Sequence, residues 1–136
     1  MTNHITTGAV HHLTLTVTDL ARSEAFYTGL LGFQKAMQLG PGRVLLSNGA
    51  TVLAVSLPTD PSRAIEGDRF DENRAGLDHL SFSVSSRQEL DLAVQLFDER
   101  GVSRGEIKDL GAEMGLCVLA FRDPDNIQLE LTAPRA

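Results

Sequence analysis

His12, His79 and Glu130 are the side chains in this sequence best suited to holding a metal ion. Two imidazoles and one carboxylate bind a divalent transition metal and leave coordination positions open for water or substrate. An ion held in that way polarises a reacting oxygen as a Lewis acid. Taken singly, each residue has a plainer role. A lone strand histidine is more often a hydrogen-bonded structural group, and a glutamate near the end of a last strand is usually solvated. What favours the metal reading is where the three fall in the pattern of the chain.

That pattern is an internal repeat. Val10-His11-His12-Leu13-Thr14-Leu15-Thr16-Val17-Thr18 returns 67 positions later as Leu77-Asp78-His79-Leu80-Ser81-Phe82-Ser83-Val84-Ser85. From His12 and His79 onward every place matches in type: His, Leu, hydroxyl, large apolar, hydroxyl, Val, hydroxyl. Both copies alternate with period two, the mark of a strand with one buried and one polar face. Leu13, Leu15 and Val17 share one face, and His12, Thr14 and Thr16 the other. The same split sets His79, Ser81 and Ser83 against Leu80, Phe82 and Val84. In the last strand Gln128, Glu130 and Thr132 oppose Ile127, Leu129 and Leu131. Three polar faces thus carry His, His and Glu among small hydroxyl and amide neighbours, of which Thr14, Ser81, Ser83 and Gln128 could steady the ligands or a bound water. His11 points away from His12 and reads as structural or exposed, and His4 lies in a terminal tail. No catalytic acid or base is assigned.

The elements that must position these residues follow the same repeat. Asp19 predicts a helix N-cap, Leu20, Phe26, Tyr27 and Leu30 an apolar stripe, and Gly32 the end. In the second half Ser86 and Glu89 predict a capping box, Leu90, Ala93, Val94 and Phe97 the buried face, and Gly101 the stop. Three strands are expected after each helix. In the first half they are about Phe33–Leu39, Arg43–Ser47 and Thr51–Leu57, broken by Gly40-Pro41-Gly42 and by the hairpin signal Asn48-Gly49. In the second they are about Val102–Lys108, Leu116–Arg122 and Ile127–Thr132, with Asp123-Pro124-Asp125-Asn126 as a turn. The expectation is therefore an α+β domain spanning residues 1–136, built from two βαβββ modules. Module 1 covers about 10–57 and module 2 about 77–133. Their curved, mostly antiparallel sheets would surround a cavity, with the apolar faces packed under the helices. The connector 58–76 holds eight charged residues between Asp60 and Arg74. It is too polar for a core, and reads equally as a solvated linker or as a segment lining a cleft.

Composition narrows the class. The 136 residues are 42% hydrophobic and 22% charged, as in ordinary soluble domains, and the formal charge of −6 repels nucleic acid and anionic membranes. The single cysteine, Cys117, cannot close an internal disulfide, and it sits in an apolar strand as a buried small hydrophobe rather than a nucleophile. Met1-Thr2-Asn3-His4-Ile5 lacks the basic start and apolar run of a signal peptide, and no apolar segment approaches the roughly 20 residues of a membrane span. A cytoplasmic protein is expected. Gly40-Pro41-Gly42 opens a hairpin, not a phosphate loop, and there is no G-x-S-x-G elbow.

Several motifs in this order resemble the vicinal oxygen chelate superfamily. They are His12-Leu13-Thr14-Leu15-Thr16-Val17-Thr18-Asp19-Leu20, Phe26-Tyr27 before Leu31-Gly32-Phe33, His79-Leu80-Ser81-Phe82-Ser83-Val84, and Phe121-Arg122-Asp123-Pro124-Asp125 leading to Leu129-Glu130-Leu131. The resemblance runs from about Val10 to Ala133. That group contains glyoxalase I, extradiol dioxygenases, fosfomycin-modifying transferases, methylmalonyl-CoA epimerase and metal-free bleomycin-resistance proteins. It implies metal ligands at His12, His79 and Glu130, with Fe, Mn or Zn as the ion. It also implies a small-molecule substrate and a homodimer with sites at or near the interface.

Within the superfamily the fourth-strand glutamate of glyoxalase I is replaced by Ala54, which leaves a three-ligand set like that of the dioxygenases and fosfomycin enzymes. Thr14 resembles the latter, yet their potassium-binding Ser-Glu-Gly stretch is replaced by Ala112-Glu113-Met114-Gly115. The additional catalytic His and Tyr of two-domain dioxygenases have no identifiable counterpart. The resemblance implies a metal-dependent enzyme, most specifically an extradiol-type dioxygenase. The alternatives are a glyoxalase-type lyase or isomerase, and a metal-free ligand-sequestering protein of the bleomycin-resistance type.

Overall fold

A computed structural model describes residues 3–136, so Met1 and Thr2 of the amino-terminal stretch lie outside the described residues. The chain divides into two compact units, Met1–Glu66 and Gly67–Ala136, each containing one βαβββ module.

In the first unit, strands β1 (Leu13–Thr16), β2 (Gln34–Gln38), β3 (Arg43–Ser47) and β4 (Val52–Ser56) form a sheet in the order β1-β4-β3-β2. β1 runs parallel to β4, and the other pairs are antiparallel. Helix α1 (Leu20–Leu31) starts where expected: the Asp19 carboxylate accepts the Arg22 N–H at 3.0 Å, and Gly32 ends it in the left-handed region at φ 75°. Tyr27 on its inner face is fully buried, with Leu15, Val17, Val44, Leu46, Leu53 and Val55 as the core. Asn48 closes the β3–β4 hairpin by accepting the N–H groups of Ala50 and Thr51 at 2.9 and 2.7 Å, while Gly49 takes φ 90°.

The second unit repeats the plan. Strands β5 (Leu80–Ser83), β6 (Lys108–Asp109), β7 (Leu116–Arg122) and β8 (Gln128–Pro134) follow the order β5-β8-β7-β6, again with one parallel and two antiparallel pairs. Helix α2 (Arg87–Glu99) buries Leu90 and Phe97, and Phe97 stacks on Phe121 of β7 with ring centroids 4.5 Å apart. A four-residue helix α3 (Gly111–Met114) precedes β7. Neither sheet closes on itself, and β1, β2, β5 and β6 are the edges.

Three local expectations need correction. The strand read at Val102–Lys108 shrinks to Lys108–Asp109, although Gly105 still donates to the Ala120 carbonyl and Arg122 to that of Ser103. A glycine within the run and an Arg104 side chain drawn to Asp98 and Glu106 keep it alongside β7 without a regular ladder. The capping box does not form: Ser86 stands at the N-cap, but its carbonyl rather than its hydroxyl accepts the Glu89 N–H, at 3.1 Å. Finally, β8 runs on to Pro134, which puts Glu130 in mid-strand rather than near an end.

No helix among the described residues is long and apolar enough to cross a membrane.

Candidate metal centre

Alternation along β8 buries Leu129, Leu131 and Ala133 under α2 and turns Gln128, Glu130 and Thr132 to the opposite face. β8 is an inner strand, so Glu130 has a neighbour on each side: Ser81 of β5 in one direction and Ala120 of β7 in the other. His79 immediately precedes β5. Its Nε2 lies 3.8 Å from Oε1 of Glu130. That distance is too long for a hydrogen bond. It suits two donors sharing one cation, because ligands each about 2.0–2.2 Å from an ion stand roughly 3–4 Å apart.

The other ring nitrogen of His79 is engaged. Nδ1 lies 2.7 Å from Oδ1 of Asp78, and the same oxygen accepts Nε2 of Gln128 at 3.0 Å. An ionised carboxylate only accepts, so His79 donates from Nδ1, and in the neutral ring this leaves the lone pair on Nε2, the nitrogen nearer Glu130. The Gln128 carbonyl oxygen in turn accepts from Arg122 at 3.1 Å, and Arg122 also grips Glu72 through two bonds of 2.9 and 2.7 Å. A continuous polar run thus links Glu72, Arg122, Gln128, Asp78 and His79. Ser81 and Thr132 share a hydrogen bond through their hydroxyls.

Of the residues expected to steady the ligands, Gln128 works one step removed, through Asp78. Asp78, Arg122 and Glu72 were not anticipated. Glu72 also shows what the connector does. Its second half is docked: Phe70 donates to the Asp125 carbonyl at 2.9 Å and accepts from Asn126 at 3.0 Å, beside the Glu72–Arg122 pair.

The Arg122 guanidinium, by hydrogen bonding to Glu72, lowers the Glu72 carboxyl from 4.5 to about 2. A carboxyl held below its unfolded value stabilises the fold above that unfolded value, and the contribution disappears as the pH falls through the folded one. Urea midpoints of the native chain and Glu72→Gln should therefore differ by a constant amount above pH 4.5 and converge between pH 4.5 and 2. A difference that persists unchanged to pH 2 would contradict the pairing.

In the first unit His12 precedes β1 as His79 precedes β5. The strand registers coincide: Thr14 lies beside Ala54 of β4 as Ser81 lies beside Glu130 of β8. Ala54, buried, therefore occupies the place of Glu130, and this half has no carboxylate there. His11 is not turned away as expected. Its Nδ1 lies 2.9 Å from Nδ1 of His12, with the rings edge to face. Residue-to-residue alternation lapses here because both histidines precede the first ladder pair of β1.

The structure brings together His79 and Glu130 and leaves His12 in the other unit. Among the described residues, no three His, Cys, Asp or Glu side chains form a group able to hold a metal ion.

The sequence profile of the Glyoxalase/Bleomycin resistance protein/Dioxygenase superfamily matches residues 9–131. Uncharacterized protein YwkD of Bacillus subtilis (strain 168) is 35% identical over 130 residues, which cover 90% of this chain and 94% of that protein. Catechol-2,3-dioxygenase of the same organism is 30% identical over 121 residues, 89% of this chain but 40% of the dioxygenase. The crystal structure of a glyoxylase/bleomycin resistance protein/dioxygenase domain from Frankia sp. EAN1pec superposes with a TM-score of 0.75 at 33% identity. It covers 96% of this chain and 100% of that one.

Proposed function

This chain belongs to the Glyoxalase/Bleomycin resistance protein/Dioxygenase superfamily, and from that premise we propose that it is a metal-dependent enzyme acting on a small oxygenated substrate. The observation that carries the reading is the His79–Glu130 pair, 3.8 Å apart with Nδ1 of His79 already held by Asp78. In the proposed assembly two copies of the chain form a homodimer as one functional domain each. His79 and Glu130 of one copy are joined by His12 of the other. Open sheet edges at β1 and β5, next to the two histidines, give a physical motive for association.

The chemistry that a divalent ion such as Fe, Mn or Zn supplies in such a site is Lewis acidity toward two substrate oxygens or, with iron, activation of dioxygen. The protein's part is to orient and to make room. Asp78 keeps the Nδ1 proton of His79, so Nε2 remains a donor. Glu130 brings the single negative charge of the ligand set. Ala120, directly across the strand from Glu130, leaves space where a larger side chain would crowd the carboxylate. With Ala54 in place of a fourth donor, the set is His-His-Glu. That set and the likeness to catechol-2,3-dioxygenase favour extradiol ring cleavage over a glyoxalase-type isomerisation.

Metal analysis of protein purified without chelator tests the proposal. Near one ion per chain is expected, falling to background in His79→Ala. Metal-free native protein that binds apolar ligands would instead support the sequestering role.

A further inference from the structure

We propose that the side chain just before each ligand histidine is its positioning residue, Asp78 for His79 and His11 for His12, each engaging Nδ1 so that Nε2 is the nitrogen offered to the metal. The inference rests on reading His12 and His79 as ligands. It starts from the repeat, in which His11 and Asp78 stand at corresponding places, 67 positions apart like the histidines they precede. The two are chemically unlike, yet each meets the same atom of its neighbour, at 2.9 Å in the first half and 2.7 Å in the second.

The proton arrangement follows from the partner. Asp78 can only accept, so His79 is the Nδ1–H tautomer. Between two neutral imidazoles one Nδ1 must donate and the other accept. For His12 to offer Nε2 it must donate from Nδ1, and His11 must accept, carrying its own proton on Nε2. An imidazole whose remote nitrogen is hydrogen-bonded is fixed in rotation and tautomer before the ion arrives, and loss of such a partner typically weakens metal binding about 10–100-fold. The halves differ in firmness. Asp78 is itself held by Gln128, which Arg122 and Glu72 secure. His11 rests against the edge of the His12 ring. Asp78 therefore carries the larger share.

Both positioning contacts are between adjacent residues with exposed side chains, so removing them leaves the core intact. Long-range 1H–15N spectra of histidine-labelled, metal-free full chain read the tautomers directly. The native chain should show Nδ1–H at His12 and His79 and Nε2–H at His11. Asp78→Ala should move His79 toward the Nε2–H form that free histidine prefers, and Asp78→Asn, which keeps an accepting oxygen, should retain Nδ1–H. Titration with Mn(II) alone should show affinity reduced about 10–100-fold in Asp78→Ala, less in His11→Ala, and largely recovered in Asp78→Asn. His79 as the Nε2–H tautomer in the native chain, or unchanged by Asp78→Ala, overturns the proposal. Failure of the ligand reading looks different: the expected tautomers with no Mn(II) uptake by the native chain overturn the metal role while the Nδ1 pairings stand.

Discussion

With the proposed His12-His79-Glu130 set, Glu130→Ala is expected to weaken metal binding by at least about 100-fold, beyond the roughly 10–100-fold cost of removing a residue that merely supports a ligand. Of the three proposed ligands, Glu130 alone is charged, and without it the set reduces to neutral imidazoles. The loss cannot be made up locally. Its cross-strand neighbours are Ser81 and Ala120, and the carboxylate nearest to His79, Asp78, is taken by Nδ1 of that ring and by Gln128. Glu130→Gln separates charge from shape, because the amide keeps an oxygen donor without the negative charge. Isothermal titration with Mn(II) or Zn(II), with circular dichroism to verify folding, provides the measurement. Glu130 lies on the polar face, away from the packed side of β8, so folding should survive both changes. Unchanged affinity in Glu130→Ala would remove this residue from the metal site.

Phe97→Ala destabilises the protein by about 3–5 kcal/mol, the range typical of deleting a buried aromatic from a close-packed core. The side chain is 1% exposed and stacks on Phe121 at 4.5 Å, so it joins α2 to the inner face of the sheet that carries Glu130 on its other side. The Phe97 carbonyl also accepts the Val102 N–H where the helix ends, which ties the same residue to the turn at Gly101. Leu92→Ala on the same helix is the control. Leu92 is 56% exposed, and its loss should stay within about 0.5 kcal/mol. Urea denaturation of the two variants beside the native chain measures both. Equal midpoints would mean that the helix contributes nothing through Phe97.

Much of this architecture was legible because it rests on local periodicity. Alternation in Leu13–Val17 and Leu80–Val84, and the helical spacing of Leu90, Ala93, Val94 and Phe97, reported the elements and the less exposed face of each, though Leu80, Phe82, Val84, Ala93 and Val94 are only half-buried. Arg43–Ser47 and Leu116–Arg122 were bounded correctly by the turns beside them. What escaped depended on contacts between distant parts of the chain or on side-chain competition. Glu72 meets Arg122 fifty residues away, and nothing near either residue marks the pairing. Arg122 opposite Gln128, by contrast, could have been found by counting back from the Asp123–Asn126 turn, since a hairpin fixes its register. His11 and Asp78 were visible too, as the residues preceding both repeated histidines, but period-two reasoning assigned His11 to the wrong side. That rule holds only inside a ladder, and the histidines stand just ahead of one. The capping box failed for another reason: Ser86 and Glu89 have the right types and spacing, yet the backbone satisfied the helix end first.

Ala54 in the register of Glu130 has a consequence for how the sequence can diverge. The two halves share one register there, but the surroundings of that place differ between them. Position 54 is 2% exposed, so it accepts an apolar side chain of matching volume and disfavours an unpaired charge, whereas the Glu130 side chain is partly open. An acidic side chain placed at 54 would therefore set a second carboxylate in the register of Glu130 only at the cost of burying its charge.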